Sequence, residues 1–280
     1  MQIEKNKILH REHKKPILLD IFYSEEFSNQ PIIIFCHGYK GFKDWGAWNI
    51  MAKSIAEAGI CFVKFNFSHN GGTMENPIDF PDLEAFGNNN YSKELDDLND
   101  VINWVFSKFV DNVFVDVSNL ILLGHSRGGG IAIIKTSENK RVKKLITLAS
   151  VCDFAKRTAT IGDLEEWKET GVKFVINGRT KQQMPHYYQF YEDFKANEER
   201  LNIETSEKRL EVPHLIIHGD NDTSIKIDEA YALYKWNPNS HLEIIEAADH
   251  VFNTRHPWAK KTLSDELQSV VTSIKRFAKN

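Results

Sequence analysis

Cysteine is scarce, with three in 280 residues. An odd number cannot all pair, and no disulfide framework is expected. Cys36 and Cys61 fall inside apolar, strand-like runs and Cys152 follows another, which suits buried free thiols in a reducing compartment. Long hydrophobic runs are missing as well. Stretches such as Ile32 to Cys36 are far shorter than the roughly 20 residues that cross a bilayer, and Met1-Gln-Ile-Glu-Lys-Asn has no apolar signal core. A cytoplasmic chain with no membrane association is the expectation. Excess positive charge is also absent. The formal net charge is −4, and no Lys/Arg stripe is interleaved with aromatics, which argues against a nucleic-acid partner. Neither H-E-x-x-H nor C-x-x-C spacing occurs, so no metal site is expected.

What is present is the composition of a soluble globular protein, 41% hydrophobic and 26% charged. From residue 31 onward, strand-like and helix-like stretches alternate. Pro31 to Cys36, Ile60 to Phe67, Leu120 to Leu123, Val142 to Leu148, Val212 to His218 and His241 to Ile245 read as strands. Trp45 to Ala58, Ser92 to Phe109, Ile131 to Ile134 and Leu263 to Phe277 have helical spacing. Alternating βα units imply a mostly parallel, twisted sheet with helices on both faces. Segments 2–9 and 17–23 read as an antiparallel hairpin at its edge. Residues 1–280 are read as one α/β domain.

Two stretches break the rhythm. Residues 68–91 form a Gly/Asn/Pro-rich loop long enough to suggest a functional role. Residues 152–211 are too long for a single crossover helix and are read as a small helical cap inserted between two late strands. Their aromatic cluster contains Tyr187, Tyr188, Phe190, Tyr191 and Phe194. Such clusters either anchor an element or meet a ligand, and Tyr187, Tyr188 and Tyr191 are the candidates for lining a substrate pocket.

The most informative segment is Gly124-His125-Ser126-Arg127-Gly128, placed where a strand runs into a helix. In this G-x-S-x-G elbow a serine sits on a tight turn with its hydroxyl exposed. Residues two before and two after it approach closely, which calls for Gly124 and Gly128. A serine hydroxyl is a weak nucleophile and needs a base, itself oriented by a carboxylate. The loops after two later strands offer both. Gly219-Asp220-Asn221-Asp222 supplies the acid, with Asp220 and Asp222 both candidates, and Ala248-Asp249-His250 supplies the base. Asp249 is a chain neighbour of His250 and is badly placed to reach its Nδ1 from outside. His69 follows the wrong strand, His218 lies within one, and His256 precedes Pro257. Ends of parallel strands converge on one sheet edge, so these loops can meet the elbow. An oxyanion needs two preorganised N–H donors. The amides of Arg127 and of Tyr39, in the loop His37-Gly38-Tyr39-Lys40-Gly41, are the expected pair. His37 is expected to brace that loop.

On these pieces, together with Val63-Lys-Phe-Asn-Phe67 and His218-Gly-Asp-Asn-Asp222, the chain resembles the α/β-hydrolase superfamily. It is most similar to intracellular esterases related to cinnamoyl/feruloyl esterases, dienelactone hydrolases and serine-aminopeptidase-like hydrolases. The resemblance implies Asp222 as the triad acid, beside Ser126 and His250. It also implies hydrolysis of small to medium acyl or aromatic carboxylic esters, with no cofactor and a small-molecule ester as the partner. Where dienelactone hydrolases carry cysteine at the elbow, this chain has Ser126. A peptidase acting on small peptides, with Glu165, Glu166 and Glu192 receiving a free amino terminus, is the alternative from another class. A non-catalytic scaffold on the same fold is a third.

Overall fold

The first two strands already set the sheet edge. In a computed structural model describing residues 1–280, β1 (Gln2–Leu9) and β2 (Ile17–Tyr23) pair antiparallel, and β2 pairs antiparallel with β4. From there the chain winds in parallel. β3 (Gln30–Cys36) leads to α1 (Trp48–Glu57) and β4 (Cys61–Phe65), then through a long loop holding α2 (Leu83–Gly87) to α3 (Tyr91–Phe109). β5 (Val115–His125) runs directly into α4 (Arg127–Glu138), and β6 (Val142–Leu148) follows. The insertion after β6 holds α5 (Phe154–Ala159), α6 (Leu164–Thr170), β7 (Val172–Ile176), β8 (Gln183–Tyr187), α7 (Gln189–Ala196) and α8 (Ile203–Lys208). β9 (His214–Gly219), α9 (Ile227–Trp236), β10 (Ser240–Ile245) and α10 (Asp265–Lys279) complete the chain. The eight-stranded sheet has the order β1-β2-β4-β3-β5-β6-β9-β10, the mostly parallel sheet expected of this class.

The strand periodicity of two decides which helices cover which face. Ile32, Ile34, Leu120 and Leu122 point to one side, where α3 and α4 lay down Leu95, Leu98, Ile102, Ile131 and Ile134. Ile33, Phe35, Ile121 and Leu123 point to the other, against Trp48, Met51 and Ile55 of α1 and Val270, Val271 and Ile274 of α10. Both faces are buried, and the central strands therefore read as continuous apolar runs rather than alternating ones.

The insertion differs from the helical cap expected. Its helices are joined by an antiparallel β7/β8 hairpin, because Val172-Lys-Phe-Val-Ile176 is a short β-branched run with no helical stripe. Met184 of β8 packs with Phe42, Phe80 and Phe86, so the hairpin also clamps the long 68–91 loop.

Beneath the loop that follows β3 lies a buried quartet of charges. Lys64 of β4 reaches Asp20 of β2 and Asp44, both at 2.6 Å, and Lys43 reaches Asp20 at 2.9 Å and also pairs with Asp44. Lys43, Lys64 and Asp20 are almost wholly buried. The quartet ties residues 43 and 44, and with them the loop carrying Tyr39, to the sheet. Burial pushes the Lys64 ammonium down to about 8. Burial alone would raise the Asp20 carboxyl, but the charges of Lys64 and Lys43 outweigh it and hold Asp20 below its ordinary 3.8. A carboxylate depressed in this way contributes stability that is complete above about 3.8 and is lost as pH falls below it. We expect Asp20→Asn to lower the unfolding free energy by about 3 kcal/mol or more near neutrality, since it leaves two buried ammoniums, Lys43 and Lys64, to share Asp44 alone. The gap to wild type should narrow as pH falls below 3.8. Denaturant unfolding across that range reads both, and a gap independent of pH would remove the electrostatic explanation.

Candidate active site

The elbow is built as its glycines require. Ser126 has φ 56° and ψ −120°, a conformation costing a residue with a Cβ about 1–3 kcal/mol. A Cβ on Gly124 would lie 2.2 Å from the Gly128 carbonyl oxygen, and one on Gly128 would lie 2.5 Å from the carbonyl oxygens of Cys36 and His37. No side chain larger than hydrogen fits at either place. The Ser126 N–H donates to the Leu148 carbonyl at 2.9 Å, pinning the turn to the end of β6. The result is a serine that is 7% exposed, at the mouth of a cavity.

His250 and Asp222 meet it. His250 Nε2 lies 3.1 Å from Ser126 Oγ, and His250 Nδ1 donates to Asp222 Oδ2 at 2.8 Å. A carboxylate only accepts, so the imidazole carries its proton on Nδ1 and leaves Nε2 free to take the serine's proton. Asp222 is fixed in turn. Its Oδ1 accepts from the Ser224 and Ile225 amides at 2.8 and 2.9 Å. Burial raises its pKa, but hydrogen bonds from His218 and His250 outweigh this and hold the group well below the usual carboxylate range. Asp220 is exposed. Asp249 instead accepts from the Val251 and Asn253 amides, closing the turn beneath His250.

The loop after β3 abuts the elbow. A Cβ on Gly38 would sit 2.9 Å from Ser126 Cβ, so the Tyr39 backbone is carried past Ser126. The Tyr39 and Arg127 amides donate to no protein acceptor. His37 braces this loop, with Nδ1 donating to the Gly38 carbonyl at 2.9 Å and Nε2 accepting from the Phe67 amide at 3.2 Å. Burial drives its pKa down to about 4, and His37 is neutral.

Two histidines that sequence reasoning left out of the site belong to its support. His125 Nε2 donates to the His250 carbonyl at 2.9 Å, holding the His250 backbone, and burial keeps His125 neutral with a pKa pushed down to about 3. His218, set aside as a strand residue, is 3.4 Å from Asp222 and donates to the Ile225 carbonyl at 2.9 Å. The four-residue spacing of His218 and Asp222 was the available signal. His256 accepts from the Gly46 amide and His69 contacts Ser68, both away from the triad.

The cavity at Ser126 measures about 360 Å³, with apolar walls from Tyr91, Val151, Phe154, Ile161, Val175 and Ile225. Tyr187, Tyr188 and Tyr191 are not among its walls, which corrects the expectation drawn from the aromatic cluster. The Tyr187 hydroxyl donates to Glu84 and its ring lies over Gly87. Tyr188 meets Trp167 edge to face, and Tyr191 packs at a tilt against both Tyr188 and Trp167. The cluster's large apolar area is used to attach the insertion to the sheet domain, the ordinary reason for packing aromatics together. The insertion reaches the cavity through Phe154, Ile161 and Val175 instead.

A parallel sheet with a serine elbow, covered on both faces and roofed by an insertion after β6, defines the α/β-hydrolase fold. The family model described as BD-FAE matches residues 19–237, and the chain belongs to that family. Its fold is similar to that of Est1E from Butyrivibrio proteoclasticus (TM-score 0.71, 16% identity, covering 98% of this chain and 97% of that one). The esterase domain of a Rhodothermus marinus protein is similar too (TM-score 0.66, 18% identity, 99% and 98% covered). A Synechocystis sp. protein provisionally named a non-heme chloroperoxidase is 23% identical over 275 residues, spanning 85% of this chain and 91% of that one.

We expect Tyr188→Ala and Tyr191→Ala to cost about 1 kcal/mol or more of stability each through lost aromatic packing. Their kcat/KM values for a bulky aromatic ester and for an acetyl ester should change by the same factor. A loss confined to the bulky ester would return these residues to the pocket.

Proposed function

We propose that this esterase-type hydrolase cleaves carboxylic esters through an acyl-enzyme on Ser126. The observation that carries the reading is the continuous chain Ser126 Oγ–His250–Asp222, at 3.1 and 2.8 Å. In this reading His250 Nε2 takes the hydroxyl proton as Oγ attacks the ester carbonyl carbon. Negative charge then develops on the carbonyl oxygen, and the free Tyr39 and Arg127 amides receive it. The imidazolium formed is stabilised by ionised Asp222, and His250 returns the proton to the departing alcohol oxygen. Water, deprotonated by the same nitrogen, repeats the steps on the acyl-enzyme and releases the acid. The apolar walls suit small to medium acyl or aromatic groups. Ferulic acid bound to the similarly folded Est1E supports including aromatic ones.

Nothing in the cavity favours the peptidase alternative. Glu165, Glu166 and Glu192 are all exposed, and none lines the cavity. Its charged walls, Lys40, Arg127 and Arg157, would repel a free ammonium.

Ser126→Ala should lower kcat by roughly 10⁴-fold or more without unfolding the protein, and a fluorophosphonate probe should label wild type at Ser126 alone. Asp222→Asn should cost orders of magnitude in kcat through loss of the imidazole tautomer, while Asp220→Asn costs little. Mass spectrometry of the labelled peptide and turnover of a nitrophenyl ester check these outcomes. Labelling elsewhere, or the reverse ranking of the two aspartates, would overturn the assignment.

A further inference from the structure

The charged side chains of the cavity are one-sided. Lys40, Arg127 and Arg157 line it, and no carboxylate does. Two of the three have cationic capacity that the protein leaves unused. Lys40 makes no ion pair, and its ammonium rests only 4.9 Å from the centre of the Tyr39 ring. Arg157 pairs with Glu229 through one nitrogen, but its buried Nε–H has no acceptor. Arg127 is sandwiched between Tyr39 and Tyr91, with its guanidinium 4.3 and 5.2 Å from their ring centres. Its one anionic neighbour, Glu94, stands at 3.5 Å behind it. Burial lowers the Lys40 pKa and the charge of Arg127 lowers it further, so this pair repels across the cavity wall. Lys40 also holds φ at 54°, left-handed backbone that a long side chain rarely adopts. No carboxylate lining the cavity offsets this repulsion beside Ser126. An anion entering the cavity would relieve the repulsion and supply the missing acceptors.

We propose that the substrate of Ser126 is an ester carrying a free carboxylate, held by Lys40 and Arg157 on the cavity wall. The proposal rests on the esterase reading above and names the chemical class of the substrate. A planar guanidinium fork matches a carboxylate, and a nearby ammonium adds a point charge. The apolar walls at Tyr91, Phe154 and Ile161 cover the carbon skeleton between the carboxylate and the scissile bond.

Two matched pairs of esters test it. Nitrophenyl hydrogen glutarate against nitrophenyl pentanoate places the charge on the acyl side. Acetoxybenzoate against acetoxybenzamide places it on the alcohol side. Wild type should show a kcat/KM ratio, charged over neutral, above one in at least one pair, and that ratio should fall with added salt. Lys40→Asn suits the left-handed backbone and should lower the ratio roughly tenfold. Lys40→Asp, which suits it equally, should lower it further, and Arg157→Lys should lower it less. Using the ratio cancels any general damage to the oxyanion loop. A wild-type preference for the neutral member of both pairs overturns the carboxylate assignment and leaves ester hydrolysis standing. So does a ratio that neither Lys40 substitution moves, or no turnover of any of the four esters with Ser126 still labelled by fluorophosphonate. No turnover together with an unlabelled Ser126 removes the esterase reading itself.

Discussion

The backbone of Ser126 lies in left-handed territory, and most of the site follows from what holds it there. Three chain segments converge on the turn. Gly128 is pressed against the end of β3, Gly124 against the start of α4, and the Ser126 amide against the end of β6. The strain of about 1–3 kcal/mol persists because the neighbouring strands over-determine the turn. Its consequence is geometric. The first amide of α4 and the hydroxyl of the residue before it adjoin the same cavity, so both groups are set by one backbone constraint.

Around this turn the protein fixes the remaining parts by separate means. The Tyr39 loop is held from below by buried charge, through Lys43, Asp44, Asp20 and Lys64, and from beside by neutral His37. His250 is held through its own carbonyl by His125 and through its ring by Asp222. Each support is polar, buried and directional. Such contacts contribute little net stability but are costly to break one at a time, which suits groups whose positions matter more than their binding energy.

How much of this was legible in the sequence depended on how local the constraint was. The elbow could be read because two glycines two residues either side of a serine report a backbone requirement in five consecutive letters. The parallel sheet could be read because strands buried on both faces become continuous apolar runs, as in Ile32 to Cys36. The chain order of Ser126, Asp222 and His250 placed the partners, although the residues alone left Asp220 open; its exposure and the burial of Asp222 separate them in space. The insertion was misread where aromatic density was taken for a pocket. Density signals burial but not which side is buried, and Tyr187, Tyr188 and Tyr191 face Gly87, Glu84 and Trp167. The actual walls, Tyr91, Phe154, Ile161 and Val175, come from separate stretches of chain with no shared spacing. The unpaired state of Lys40 is equally invisible without knowing which carboxylates lie beyond its reach.

The placement of His250 on the loop after β10 also bears on how the molecule comes into being. Ser126 and His250 stand 124 residues apart in the chain, and β10 touches the sheet only through β9. β10 pairs with β9 locally, Ser240 against His214, whereas β9 reaches β6 across the whole insertion, Leu145 against His214. Pairings of such long separation form slowly, since the loop-closure entropy must be met before the contact forms. A nascent or refolding chain can therefore possess the core strands, the elbow and its oxyanion loop while still lacking a proton acceptor. On the proposed mechanism, Ser126 gains its proton acceptor only once β9 and β10 have joined the sheet. On that mechanism a sheet lacking its last two strands is chemically silent, however native the rest of it is.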